Sequence, residues 1–94
     1  MGAQSKAKDT IRIDKWLWQA RFCKTRALAQ TRASTGHIRL NGRRVDKPGT
    51  SIKTGDVMTL ASRGHVVVLR VLALGERRGP AVEAQTLYEI IEDA

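Results

Sequence analysis

Cysteine is almost missing from this chain. Cys23 is the single copy among 94 residues, which excludes an internal disulfide framework and suits a reducing cytoplasm. Also missing is any run near the ~18 apolar residues that a membrane span needs. The start, Met1 to Thr10, is polar and rich in small residues. Without the apolar segment of a signal peptide it reads as a flexible arm. His37 and His65 stand alone, and with one cysteine and no ligand-like spacing a zinc site is not expected. No glycine-rich phosphate loop, serine-centred elbow or repeated acid pair is present. These absences argue against catalysis, and no cofactor is implied. The length gives room for one domain with one modest core, and little space for a deep catalytic pocket.

Acid is scarce too, and unevenly so. Between Arg12 and Lys47, ten Lys and Arg face only Asp14 and Asp46, a balance of +8 that equals the net charge of the whole chain. From Glu76 to Ala94 the sign reverses, with Arg77 and Arg78 against five acids, a balance of −3. Positive charge concentrated in one block can hold a polyanion on one face, because neutralising backbone phosphates releases condensed counterions. Solubility alone needs no such asymmetry. The composition favours a nucleic acid as partner, with an anionic membrane surface as the weaker alternative.

Ile11 to Phe22 reads as a helix, since Ile13, Trp16, Leu17 and Ala20 recur at the spacing of one buried stripe. Asp14 falls where an acid complements the helix dipole. Lys15, Trp18, Gln19 and Arg21 fall away from the stripe. Trp16 is therefore a core residue, while Trp18 either packs on the rest of the chain or could stack on an unpaired base. A second helix is predicted from Arg26 to about Ser34, with Thr25 as N-cap and Gly36 as left-handed stop. From His37 the period changes to two. Ile38 and Leu40 alternate with Arg39, Asn41-Gly42 marks a hairpin turn, and Arg43, Arg44 and Val45 return. Lys47-Pro48-Gly49 and Gly55-Asp56 turn again. Strands are expected over Val57 to Ala61 and Val66 to Leu74, with Arg63-Gly64 between them. Ala84, Leu87, Tyr88 and Ile91 keep helical spacing, which predicts a C-terminal helix over Ala81 to Ile91. The order is that of an α+β domain.

Two basic constellations stand out. Arg21-Phe22-Cys23-Lys24-Thr25-Arg26 joins the helices, and a phosphate could sit at the start of the second helix with Arg26 alongside. The plainer reading is a set of solvated charges favoured by the dipole. Arg39, Arg43 and Arg44 surround the hairpin turn, where the planar arginine fork suits phosphate; protection of a sheet edge is the plainer alternative. Cys23 reads as a small packed residue rather than a nucleophile. Arg26, Gln30 and Ser34 on the second helix keep a DNA-binding helix-turn-helix reading open.

Several of these residues together resemble a known family. Ile11-Arg12-Ile13-Asp14-Lys15-Trp16-Leu17, Lys24-Thr25-Arg26, Ala29, Gly36-His37-Ile38, Leu40-Asn41-Gly42, Val45, Lys47-Pro48 and Gly55-Asp56 resemble the S4 RNA-binding domain in order and spacing, over about Ile11 to Ala61. Asp14 to Trp18, Ala20-Arg21-Phe22, and Arg77-Arg78 through Pro80-Ala81 and Glu83-Ala84 to Leu87-Tyr88-Glu89 resemble its ribosome-associated heat-shock branch. The resemblance implies the alpha-L motif: two N-terminal helices packed on a small, mostly antiparallel sheet. An S4-like domain would span residues 11–75, after an arm over 1–10, with a C-terminal helix in 76–94 packed on it.

The same resemblance implies RNA contacts at Arg12, Lys15, Arg21, Lys24, Thr25, Arg26, Arg39, Asn41 and Lys47, which Arg32, Arg43 and Arg44 would extend. It implies a non-enzymatic, cytoplasmic protein that binds ribosomal RNA on the large ribosomal subunit. Its role would lie in heat-stress rescue of stalled subunits carrying nascent chain on tRNA, with tRNA as a further contact and other nucleic acids bound more weakly. A monomer is expected. The alternatives are a targeting module of an RNA-modifying enzyme and a DNA-binding protein. Two departures stand out. Arg32 and Ala33 occupy positions where the family usually has bulky apolar residues, and branch members continue into a long basic extension, whose role this chain, ending at Ala94, is expected to lack.

Overall fold

Along the chain, the computed structural model places β1 (Ile11–Arg12), α1 (Ile13–Gln19), α2 (Arg26–Ser34), β2 (Ile38–Leu40), β3 (Arg43–Val45), β4 (Ser51–Ile52), β5 (Val57–Ser62), β6 (His65–Val71), α3 (Ala81–Ala84) with a 3-10 turn over Gln85–Leu87, and β7 (Tyr88–Asp93). It describes residues 9–62 and 64–93. The expected arm lies outside these apart from Asp9 and Thr10, as does Arg63 of the expected turn before Gly64.

The first helix starts two residues later than its periodicity predicts. Ile11 and Arg12 are extended because they pair antiparallel with Ile52 and Ser51, and the Ile13 N–H donates to the Thr50 carbonyl at 2.8 Å. The helix ends at Gln19, and Arg21 takes a left-handed φ of +66° in the link to α2. The Thr25 hydroxyl accepts from the Leu28 N–H at 3.0 Å, as an N-cap should. At the other end Gly36 has φ +82°, the left-handed conformation that favours glycine, and a Cβ there would also have to displace the Arg44 guanidinium. Asn41 and Gly42 both have positive φ, +52° and +85°, as a two-residue hairpin turn requires.

Five strands form an antiparallel sheet in the order β3-β2-β5-β6-β7, while β1 and β4 make a separate two-stranded ladder. Ile38 lies opposite both Val45 and Leu60, and Met58 opposite Leu69. Side chains facing each other across a ladder share one face, and this face carries the core. Ile13, Trp16 and Leu17 of α1 meet it, together with Ala29 and Ala33 of α2. The alanines carry little volume but let α2 approach closely, so Ala33 fits where the family usually has a bulkier residue.

The C-terminal segment departs from its predicted helix. The helix stops at Ala84, and Tyr88–Asp93 forms β7 on the edge of β6. Tyr88 faces Val71 and Ile90 faces Leu69, with a bulge between Val68 and Leu69 that takes up Ile91. The unpaired edge of β6 outweighs the helical spacing, and Tyr88, Ile90 and Ile91 suit a strand. For the same reason β6 ends at Val71 rather than Leu74: the N–H groups of Leu72 and Ala73 turn to the Leu87 carbonyl. Gln19 is a second departure. It is buried rather than exposed, because its Nε2 donates to the Leu74 carbonyl at 3.0 Å.

Candidate nucleic-acid interface

The geometry of the basic surface starts at Asp14, at the head of α1. Its side chain is fully buried, and a buried carboxylate must be paired and hydrogen-bonded to be tolerated. Arg12, two residues earlier, closes on it with Nε at 3.1 Å from Oδ1 and Nη2 at 3.0 Å from Oδ2. Arg26, in the first turn of α2, reaches Oδ1 at 3.4 Å, and the Lys15 N–H donates to the same oxygen at 2.7 Å. Arg12 and Arg26 are thus brought together from two elements. Lys15 and Lys24 are exposed nearby in sequence, on α1 and in the link to α2. Lys47 is exposed beside the Pro48-Gly49 turn.

The hairpin forms a second basic group. Arg39 stands directly opposite Arg44, and Arg43 opposite Leu40. All three arginines are exposed. Like charges facing each other across a ladder are destabilising, and an anion over the pair would relieve that repulsion.

Other predicted contact residues have partners inside the fold. The Thr25 hydroxyl caps α2. The exposed Arg21 turns its Nε to the Gly79 carbonyl at 2.7 Å. Arg32 is half-buried and lines a cavity of about 40 Å³ with Leu17, Phe22, Cys23, Ile38 and Leu60. Burial pushes the Cys23 thiol up against the smaller opposing effect of the Arg32 charge, in keeping with a packed residue. Asn41 donates from Nδ2 to Asp56 at 3.1 Å and accepts from the Val57 N–H at 2.9 Å. Its side chain holds the hairpin to β5. Asn41→Ala is therefore expected to cost about 1–3 kcal/mol in thermal unfolding, as the groups it satisfies lose their partner.

Sequence reasoning missed three contributors. Asp14 was placed by the helix dipole alone, although the Arg12-x-Asp14 spacing could have signalled a pair. Lys53 closes on Asp56 at 2.8 Å, at the foot of the hairpin. Arg78 lies over Trp18 with its guanidinium carbon 5.7 Å from the ring centroid, and its Nε donates to the Trp18 carbonyl. Packing on the chain is thus the role the structure gives Trp18.

The two buried carboxylates set a pH dependence. Burial pushes the Asp14 carboxyl up, but the Arg12 hydrogen bond, the charges of Arg26 and Arg12 and the Lys15 N–H outweigh it and hold its pKa below the ordinary 3.8. Burial likewise opposes hydrogen bonds from Lys53 and Asn41 and the Lys53 charge at Asp56, and its pKa is again lowered from 3.8. A lowered folded pKa means that the unfolded chain takes up protons first as pH falls. The stability from these pairs is complete above the unfolded value and is lost as pH drops through the folded one. The melting temperature should hold from neutral pH to about pH 4 and fall below it. Asp14→Asn with Asp56→Asn should flatten that acid limb, and an unaltered limb would refute the assignment.

A family model for the S4 domain matches residues 11–58. The chain belongs to the S4 domain family. Among relatives of this S4 domain, Heat shock protein 15 of Escherichia coli (strain K12) is 43% identical over 79 residues, covering 84% of this chain and 59% of that protein. The RQC P-site tRNA stabilizing factor of Listeria monocytogenes is 33% identical over 84 residues, covering 89% of each. The solved trimeric structure of Vibrio cholerae Heat Shock Protein 15 superposes with a TM-score of 0.80 at 38% identity, over 87% of this chain and 82% of that one. The chain spans about three-fifths of the Heat shock protein 15 relatives it matches. The α+β fold with two N-terminal helices, antiparallel sheets and a short C-terminal helix is thus that of Heat shock protein 15. The monomer expectation finds no support beside a trimeric neighbour, and nothing among these relatives supports the DNA-binding alternative. No helix among the described residues is long and apolar enough to cross a membrane.

Proposed function

We propose that this S4 protein binds structured ribosomal RNA on the large ribosomal subunit, and acts in the rescue or recycling of stalled subunits that carry nascent chain on tRNA. It does so without catalysis, in the cytoplasm. The observation that carries the reading is the pair of arginine groups held ready by the fold: Arg12 and Arg26 on one carboxylate, Arg39 opposite Arg44 on the hairpin. The facing Arg39 and Arg44 are costly in an isolated protein, and both groups offer arginine donors that suit phosphate. Arg12, Lys15, Lys24 and Arg26 would follow one stretch of backbone, and Arg39, Arg44 and Lys47 another, with Arg43 reaching RNA from the other face of the hairpin. Arginine–phosphate contacts supply affinity, while the shape of the folded RNA supplies most of the selectivity. The binding unit takes in residues 11–75, with the segment after it as a brace. Of the relatives' names, Heat shock protein 15 supports the link to heat stress and RQC P-site tRNA stabilizing factor the link to tRNA.

Sedimentation with separated ribosomal subunits at rising salt tests this. Cofractionation with the large subunit at low salt, lost as salt increases, is the expected result. Cofractionation with the small subunit alone, or with neither, would overturn it.

A further inference from the structure

We propose that Asp14 is a positioning residue for RNA recognition: it locks Arg12 and Arg26, from two separate elements, into one preformed receptor for a backbone phosphate group. The inference rests on the RNA-binding reading above and goes beyond it, since it gives a buried acid behind this surface a part in binding.

Asp14 touches both guanidiniums through one oxygen. Oδ1 receives Arg12 Nε at 3.1 Å and Arg26 Nη2 at 3.4 Å, and Oδ2 receives Arg12 Nη2 at 3.0 Å. Two cations sharing one oxygen are held close together, with two positive charges against one negative. The carboxylate itself is inaccessible, whereas the Arg12 and Arg26 side chains are 53% and 39% exposed. A ligand therefore meets the outer N–H groups of both arginines and not the acid between them. The arrangement is also tied to the turn that follows Lys47. The Asp14 N–H donates to the Pro48 carbonyl at 3.3 Å, and the Arg12 guanidinium lies over Gly49, where a Cβ would be 3.7 Å from its carbon.

Arg26 is in the wrong place for its own helix. It opens α2, whose first turn holds no acid, and a cation there opposes the helix dipole. Its Nε is buried with no partner among the described residues, a further cost. Helix stability thus does not account for an arginine here, and Asp14 is what orients it. Arginines ordered before the RNA arrives lose less rotamer freedom on binding than free ones.

The test turns on a sign. If Asp14 is merely one negative charge on a basic surface, Asp14→Asn strengthens RNA binding, because it adds +1 next to a polyanion. If Asp14 positions the arginines, the same change weakens binding, by roughly tenfold. The full chain is titrated with large-subunit ribosomal RNA at fixed salt, with a thermal melt confirming that each variant is folded. Asp14→Glu should recover part of the loss. In an Arg12→Gln, Arg26→Gln background, Asp14→Asn should produce no further loss. Unchanged or tighter binding by folded Asp14→Asn overturns the inference.

Should Asp14→Asn fail to fold, the wild-type protein still decides. Its Arg12 Nε–H should exchange with water more slowly than those of Arg39 and Arg43, as followed by NMR of the arginine side chains, and equal exchange rates overturn the inference. Failure of wild-type protein to bind the RNA would instead overturn the proposed function.

Discussion

Trp16→Ala is expected to remove about 3–5 kcal/mol of folding stability, a large share of the ~5–15 kcal/mol that holds a small domain together. The ring is fully buried. Its Nε1 donates to the Ala73 carbonyl at 3.0 Å, so truncation leaves that carbonyl without its partner as well as opening a void. Trp16 also anchors an aromatic cluster, with its centroid 6.0 Å from Phe22 and 6.4 Å from Tyr88, and Phe22 4.7 Å from Tyr88. These rings come from α1, the link after it and β7, so the loss would loosen the docking of the last strand too. Urea unfolding followed by the remaining Trp18 measures the effect. A loss below about 1 kcal/mol, far under the range for a truncated core tryptophan, would show that another group organises this core.

The second large effect is on RNA affinity. The exposed or half-exposed basic side chains assigned to RNA are Arg12, Lys15, Lys24, Arg26, Arg39, Arg43, Arg44 and Lys47. If most of them neutralise a phosphate, the association constant should fall by roughly 10⁴-fold between about 50 and 200 mM salt. Arg26→Ala and Arg39→Ala should each reduce the slope of log K against log salt by about one. Asn41→Ala should leave the slope unchanged, because its amide is engaged inside the protein. A slope unaltered by both arginine changes would remove phosphate contact from these residues.

Local signals in the chain mark much of this architecture. Thr25 and Gly36 bound α2 through a cap and a left-handed residue, both dictated by neighbouring backbone groups. Asn41-Gly42 marks the hairpin for the same reason. What local signals do not carry are partners distant in sequence. Ile11 and Arg12 look helical until Ser51 and Ile52 arrive beside them. Tyr88 to Ile91 fits a helix and a strand alike, and the open edge of β6 decides. The site divides likewise. Charge density marks its arginines, yet nothing local tells Arg26, oriented by Asp14, from Arg21, drawn toward Gly79.

The contacts that close α1 are made with the far end of the chain. Trp16 with Ala73, Gln19 with Leu74, Arg21 with Gly79 and Arg78 with Trp18 join residues 55 to 60 positions apart. During synthesis α1 leaves the ribosome well before any of these partners exists. Part of its apolar stripe can meet α2 and Ile38 earlier, but these contacts wait until residues near 80 have emerged. Contacts of such long range also slow folding, because loop closure precedes the gain from burial. The order of translation thus leaves the end of α1 and its link to α2 to become rigid last. The head of the RNA surface, held by Pro48, Thr50 and Ser51, can set before them.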